Sequence, residues 1–178
     1  MQKIRYAVVG AGWISQEAFM PGAGLTGNSE KTAIVSGSSE KASRLAEFHN
    51  VPEIYTYNQY DEMLAADVCD AVYVALPNSM HADYTIRAAK AGKHILVEKP
   101  LATSIEDAEA MIAAAADNGV YLMTAYRLHN EPGTVDLLER IRAGEIGDPR
   151  IFSAIFSFCV APGNHRLKSG HWGGPLQD

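Results

Sequence analysis

The chain has 178 residues, of which 47% are apolar and 20% charged, a balance that supports a buried core and excludes a disordered polymer. Its formal net charge is −6 and it has no run of basic residues, so we expect neither nucleic acid nor an anionic membrane as a partner. Because no signal peptide and no apolar run of membrane-spanning length are visible, the sequence predicts a cytoplasmic protein.

Strand and helix patterns alternate from the amino terminus, which predicts an α/β protein with a Rossmann-type doubly wound parallel sheet. The predicted strands are 4–9, 32–35, 71–76, 94–98 and 120–124. The predicted helices are 13–20, 39–49, 59–65 (capped by Asn58), 79–91 (ended by Gly92) and one that begins at a Thr103–Glu106 capping box and carries an apolar stripe. Residues 21–28, with three glycines, are predicted to be a loop.

The pattern changes after residue 125. We expect residues 1–125 to form a Rossmann-type domain and residues 126–178 to begin an α+β carboxyl-terminal domain. In that second part a helix from Glu131–Pro132 ends at Gly144, and residues 150–160 read as one long strand. A single strand cannot form a sheet alone, so we expect the domain to be incomplete, the chain truncated, and the 150–160 strand to join copies in a homo-oligomer.

The two cysteines and six histidines suggest no special chemistry. Cys69 and Cys159 lie in separate apolar runs, so both are expected to be buried thiols in a reducing compartment. No pair of histidines shows the close ligand spacing of a zinc site, so no metal is predicted.

A glycine-rich turn follows the first strand and opens the first helix. Gly10 and Gly12 allow a tight turn and close approach of a diphosphate to the helix amino terminus, while Ser15 replaces the usual third glycine. The pattern predicts a dinucleotide site in which Trp13 and Ile14 continue the turn.

The end of the second strand indicates which dinucleotide is preferred. NAD-binding chains usually place a carboxylate there for the ribose hydroxyl, but this sequence has Ser36, Gly37, Ser38 and then Lys41. These donors favour the 2′-phosphate of NADP(H), with NAD(H) as the alternative. In a purely structural interpretation, Ser39 caps its helix and Lys41 is a solvated charge.

Three further runs carry a family resemblance: Leu76–His81, Ala91–His94 and Glu98-Lys99-Pro100. Together they resemble the Gfo/Idh/MocA oxidoreductase family. The runs 35–37, 125–129 and 165–167 look most like its glucose-fructose oxidoreductase branch.

The resemblance implies a role for each matching residue. Lys99 would hold the substrate oxygen and help its proton move, and Pro100 would follow a cis bond. Asp178 matches the aspartate of a family motif whose next functional residue, a His or Tyr four positions on, is not in the chain. The implied cofactor groove comprises Ser36, Lys41, Tyr57, Ala75, Leu76, Asn78, His81, Glu98, Lys99, Arg127 and Arg166.

Lys99 also has a physical case of its own. Hydride loss from a C–OH carbon acidifies the hydroxyl, so a positioned acid–base group is needed, and a lysine at a strand end can serve. Alternatively, Lys99 only pairs with Glu98. The resemblance implies that residues 1–125 bind NAD(P) and that residues 126–178 begin the domain for substrate binding and oligomerisation. Two functions stay open. The first is an NADP(H)-dependent oxidoreductase acting on a sugar or polyol, of which this truncated chain binds the cofactor with impaired turnover; the second is a nucleotide-binding module that self-associates without turnover.

Overall fold

The computed structural model describes residues 3–155, 157, 159, 162 and 163, and its central element is one six-stranded parallel sheet. The strands are β1 (Ile4–Val9), β2 (Ser29–Val35), β3 (Glu53–Tyr55), β4 (Ala71–Val74), β5 (His94–Val97) and β6 (Leu122–Thr124). Their order is β3-β2-β1-β4-β5-β6. Strands β1 to β3 are laid down in one direction across the sheet and β4 to β6 in the other, so the strand order reverses between the neighbours β1 and β4. This confirms the predicted doubly wound fold.

Six α-helices connect and cover the described strands: α1 (Met20–Leu25), α2 (Ser39–His49), α3 (Tyr60–Ala65), α4 (His81–Lys90), α5 (Ile105–Asp117) and α6 (Pro132–Arg142). A π-helical turn, Ser15–Phe19, leads directly into α1. Short 3₁₀ turns at Tyr57–Gln59, Asn78–Met80 and Arg127–His129 precede α3, α4 and α6.

Both faces of the sheet are buried. Successive residues of β1 serve opposite faces, because Ala7 and Val9 belong to one apolar cluster and Val8 to the other. The larger cluster includes Met63 of α3 and Met111 of α5, while the smaller one packs residues of α1 and α2 on the other face. The strands therefore read as continuous apolar runs, as in parallel sheets covered on both sides.

Several predicted boundaries are wrong. The predicted loop at 21–28 is helical as far as Leu25, because Pro21 lies within the first two positions of α1, where its missing N–H costs nothing. Strand β3 was not predicted; it is only three residues long, and two of them are exposed.

Two predicted helix caps are also corrected. Thr56, not Asn58, begins the turn before α3, in a capping box with Gln59. Ser104, not Thr103, caps α5 by accepting from the backbone N–H of Asp107. In each case a hydroxyl residue one or two positions away has the extended backbone that the cap position needs.

The long strand predicted at 150–160 does not form within the described residues, since 150–155, 157 and 159 belong to no strand. A strand needs a hydrogen-bonded neighbour, and none of the described strands pairs with this segment. Phe152 and Ile155 are almost fully exposed. Cys159 is exposed as well, contrary to expectation, whereas Cys69 is buried; both are free thiols.

Some apolar side chains of the helices also face solvent. On α5, Met111 and Ala115 are buried, but Ile105 and Ile112 are exposed. Phe48 of α2 is exposed too. In the described part of the chain, no helix is long and apolar enough to cross a membrane.

Arg5 ties β1 to the start of β4 at the amino-terminal edge of the sheet. Its guanidinium lies 2.7 Å from Asp70 Oδ1 and 2.8 Å from Asp67 Oδ1, and its backbone N–H donates to Asp70 Oδ2 at 2.9 Å. Hydrogen bonds from the Arg5 side chain lower the pKa of both carboxyl groups. The carboxylate form of Asp70 therefore stabilises the folded chain.

This tie predicts a defined loss of stability in acid. A lowered pKa in the folded state adds stability that is present above the ordinary Asp value of 3.8 and is lost as the pH falls through the folded value. We expect the free energy of unfolding, measured by urea titration at stepped pH, to fall more steeply below about pH 4 in the native chain than in Asp70→Asn. Equal slopes in the two proteins would contradict the assignment.

Candidate functional site

The described site residues converge on the carboxyl-terminal edge of the sheet. Gly10 follows β1, Ser36 follows β2, Ala75 follows β4, and Glu98 follows β5. Backbone hydrogen bonds continue past the strand ends here, with Gly10 N to Val35 O at 2.9 Å as one example. In doubly wound sheets, ligands bind at this edge, beside the point where the strand order reverses.

The glycine turn is shaped by two different constraints. Gly10 has φ of +102°, and a Cβ there would lie 2.9 Å from the carbonyl carbon of Ala75 and closer still to its oxygen. A Cβ at Gly12 would meet nothing within 4 Å, so that position faces open space. Gly10 thus lets β1 and β4 approach, and Gly12 leaves room for a diphosphate at the helix amino terminus.

The helix that leaves this turn is held by side chains. The buried Ser15 hydroxyl donates to Gly10 O at 2.6 Å, which explains how a serine replaces the third glycine. The Gln16 amide donates to Ala11 O at 2.9 Å. Ile14 is half-buried, whereas Trp13 is 73% exposed, so its ring lies on the surface beside the turn.

The end of β2 presents hydroxyl groups and no carboxylate. Ser36 is buried and accepts from Ser38 N at 3.1 Å, while Ser38 caps α2 by accepting from Lys41 N at 3.3 Å. Accepting a hydrogen bond does not use the hydroxyl proton, so each serine can still donate. Lys41 is exposed, and the first carboxylate, Glu40, lies 3.8 Å from Arg44 on the solvent side.

Tyr57 lies beside the turn that follows β2. Its half-buried ring would lie 3.1 Å from a Cβ at Gly37, so the missing side chain at Gly37 admits the ring. The ring packs edge-on against Tyr84. Burial raises the pKa of Tyr57, so its hydroxyl stays protonated at neutral pH.

His81 joins the turn after β4 to the turn after β5. Its Nδ1 lies 2.7 Å from Pro100 O and its Nε2 lies 3.0 Å from Leu76 O, and the side chain is fully buried. Leu76 and Asn78 are also buried, with under a tenth of their surface exposed. His81 therefore holds the turn after β4 close to the turn after β5.

Glu98 and Lys99 follow β5 and are both half-buried. Glu98 Oε1 accepts from the Tyr73 hydroxyl at 2.6 Å, and Glu98 Oε2 accepts from the backbone N–H of Lys99 at 3.2 Å. The Lys99–Pro100 peptide bond is cis, as the resemblance implies.

Three predicted residues remain, and the structure describes one of them, Arg127. Arg127 follows β6, three strand spacings or about 14 Å across the sheet from β1, and its 79% exposed side chain lies 3.2 Å from Glu131. Asp178 and Arg166 lie outside the described residues. Within the described part of the chain, no group of three or more His, Cys, Asp or Glu side chains could hold a metal ion.

Sequence reasoning missed the partners of Glu98. Tyr73 is 2% exposed in β4, and Phe19 stacks on its ring at 3.8 Å. The available signal was a phenol in an otherwise apolar buried strand, because a buried hydroxyl needs a hydrogen-bond partner. A surface depression of about 560 Å³ between α3 and α4 contains none of the predicted site residues.

The model of the oxidoreductase family with an NAD-binding Rossmann fold, Gfo/Idh/MocA, matches residues 4–126. The chain belongs to this family of oxidoreductases. The assignment to the glucose-fructose oxidoreductase branch of the family stays a prediction.

Two similar proteins of known sequence are named as NADP(+)-dependent dehydrogenases of xylose and of scyllo-inositol. The chain is 37% identical over 147 residues to D-xylose 1-dehydrogenase [NADP(+)] of Haloarcula marismortui, covering 82% of this chain and 41% of the relative. It is 36% identical over 156 residues to scyllo-inositol 2-dehydrogenase (NADP(+)) of Bacillus subtilis, covering 88% and 45%. The chain thus spans less than half the length of these two relatives.

Solved structures share the fold. An aldose-aldose oxidoreductase from Caulobacter crescentus, complexed with glycerol, superposes with a TM-score of 0.76 at 37% identity, covering 80% of this chain and 43% of that one. A 3-ketoreductase from Actinomadura kijaniata, in complex with NADP, superposes with a TM-score of 0.76 at 33% identity, covering 83% and 46%.

Substitutions at the two glycines of the turn should differ in their effect on the free energy of unfolding. Gly10→Ala should lower the free energy of unfolding by about 1–3 kcal/mol, because the positive φ angle disfavours a Cβ and the Ala75 carbonyl leaves no space for it. Gly12→Ala should change it by less than about 0.5 kcal/mol. Urea unfolding of both variants measures this, and similar losses would contradict the roles assigned to the turn.

Proposed function

We propose that this chain binds NADP(H) in the groove at the carboxyl edge of its sheet, and that the protein transfers hydride between nicotinamide and a CH–OH group of a sugar or polyol. The observation that carries the proposal is that the glycine turn and Lys99 open onto the same edge of one sheet. Residues 1–125 are proposed as the nucleotide-binding domain and residues 126–178 as the beginning of a second domain.

The residues at this edge fit a phosphorylated dinucleotide. The open space at Gly12 accommodates a diphosphate, and the absence of a carboxylate in residues 36–39 removes the usual repulsion of a 2′-phosphate. Ser36, Ser38 and Lys41 supply donors there. The two dehydrogenases compared above carry NADP(+) in their names, and the 3-ketoreductase structure contains NADP.

When bound, the nicotinamide would supply the hydride chemistry. In oxidation, the neutral amine of Lys99 would take the proton that the substrate hydroxyl loses, and in reduction its ammonium form would return a proton to the carbonyl oxygen. Glu98 fixes the backbone at Lys99 by accepting from its N–H. Asp178, Arg127 and Arg166 remain candidates for contacts with substrate and cofactor.

Self-association and a cytoplasmic location belong to the same proposal. Ile151, Phe152 and Ile155 are each at least 90% exposed, and an apolar run of this kind favours pairing with a second copy. The free thiols at Cys69 and Cys159 suit a reducing compartment.

The cofactor preference can be measured directly. Titrating NADPH and NADH by nucleotide fluorescence should show tighter binding of NADPH, and Lys41→Ala should weaken NADPH about tenfold while leaving NADH unchanged, because only NADPH offers a 2′-phosphate. Lys90→Ala, an exposed lysine at the end of α4, is the matched control. An equal effect on both nucleotides would refute the role of Lys41.

The role of Lys99 requires a turnover measurement. The chain is incubated with NADP⁺ and a panel of aldoses and polyols, and nicotinamide reduction is followed by absorbance. Lys99→Met, which keeps the length of the side chain, should lower the rate by about 10²–10⁴-fold with NADP⁺ affinity little changed. Tight binding without reduction by any substrate would instead favour the non-catalytic module.

A further inference from the structure

Tyr73 has an unusual partner for a buried phenol. It lies in the middle of the sheet, and its hydroxyl donates to Glu98 Oε1 at 2.6 Å, the short distance of a charge-assisted hydrogen bond. Burial, and next the hydrogen bond to Glu98, raise the pKa of Tyr73, so the phenol remains a donor at neutral pH.

The Glu98 carboxylate is fixed at both of its oxygens. Oε1 accepts from Tyr73, and Oε2 accepts from the Lys99 backbone N–H at 3.2 Å. The Glu98 backbone N–H also donates to Val74 O at 2.8 Å. The peptide between Glu98 and Lys99 is therefore anchored to β4 both by its main chain and through the Tyr73 hydroxyl.

An aromatic stack connects Tyr73 to the glycine turn. Phe19 lies parallel to the Tyr73 ring, with 3.8 Å between centroids and 11° between planes, and Tyr6 packs edge-on against Phe19 at 5.5 Å. Phe19 ends the π-helical turn that begins at Ser15, whose hydroxyl donates to Gly10 O. A continuous set of contacts thus runs from the glycine turn to Glu98.

We propose that Tyr73 is a positioning residue for the nicotinamide end of the groove. The Tyr73 hydroxyl holds the Glu98 side chain, and Glu98 in turn holds the backbone of Lys99. Together they keep Lys99 at a fixed position relative to the helix proposed to receive the diphosphate. The inference deepens the proposed function and rests on it for its nucleotide-binding part.

The same protein shows that a buried tyrosine does not need a carboxylate. The Tyr60 hydroxyl, on the fully buried Tyr60 of α3, donates to the backbone Tyr84 O at 2.9 Å. Tyr60→Phe therefore removes a buried hydroxyl with no connection to Glu98. It is the matched control for Tyr73→Phe.

The first measurement needs no nucleotide. Amide hydrogen exchange of Lys99 is followed by NMR in the native chain, Tyr73→Phe and Tyr60→Phe. Tyr73→Phe should speed exchange at Lys99 about tenfold, because the acceptor Glu98 loses its anchor, while Tyr60→Phe leaves it unchanged. If Tyr73→Phe fails to fold, Glu98→Gln, which leaves one acceptor oxygen for the two donors Tyr73 and Lys99, should also speed exchange at Lys99.

The second measurement separates positioning from general damage. Binding of 2′,5′-ADP reports the phosphate half of the groove, and emission from bound NADPH reports the nicotinamide half. Tyr73→Phe should keep the affinity for 2′,5′-ADP within about twofold while the emission of bound NADPH moves towards that of free NADPH. Tyr60→Phe should alter neither.

The outcomes are distinct. The positioning role would be overturned if Tyr73→Phe and Tyr60→Phe showed the same amide exchange at Lys99 and the same emission of bound NADPH. If the native chain bound no NADPH, the proposed function would fail, and exchange at Lys99 would still decide whether Tyr73 holds the Glu98–Lys99 peptide.

Discussion

The approach of the first turn to the end of β4 is the constraint on which the site depends. Gly10 passes so close to the Ala75 carbonyl that no side chain fits between them. This contact sets the two halves of the sheet side by side where the strand order reverses, and doubly wound folds bind their ligands at the carboxyl edge beside this point. A larger residue at Gly10 would separate β1 from β4 and displace both the helix amino terminus and the groove.

Two buried polar side chains hold together the turns that follow β4 and β5. His81 connects the carbonyls of Leu76 and Pro100, and Tyr73 connects β4 to Glu98. Both side chains use hydrogen bonds to hold backbone that lies outside the regular sheet. Such segments would otherwise be the most mobile part of the fold, because the strand ladder no longer supports them. The backbone around Lys99, the lysine proposed to carry the proton, is therefore restrained by these hydrogen bonds.

The sequence predicted the parts of the fold that follow from local pattern. Alternating apolar runs identified five strands, and the spacing of Gly10 and Gly12 located the turn between β1 and the first helix. It failed where a tertiary contact decides: β3 forms because it pairs with β2, whereas the described part of the 150–160 run pairs with none of the described strands and forms no strand. The Tyr73–Glu98 pair joins residues 25 positions apart, which periodicity cannot reveal.

The π-helical turn at Ser15–Phe19 carries a geometric consequence. A wider turn takes up one more residue than α-helical winding, so it offsets the residues before it by about 100° relative to those after it. That offset lets Ser15 hydrogen-bond to the turn while Phe19 stacks on the Tyr73 ring. The length of this segment is therefore under tighter constraint than its composition, since losing a single residue would rewind the helix and turn one of the two contacts away.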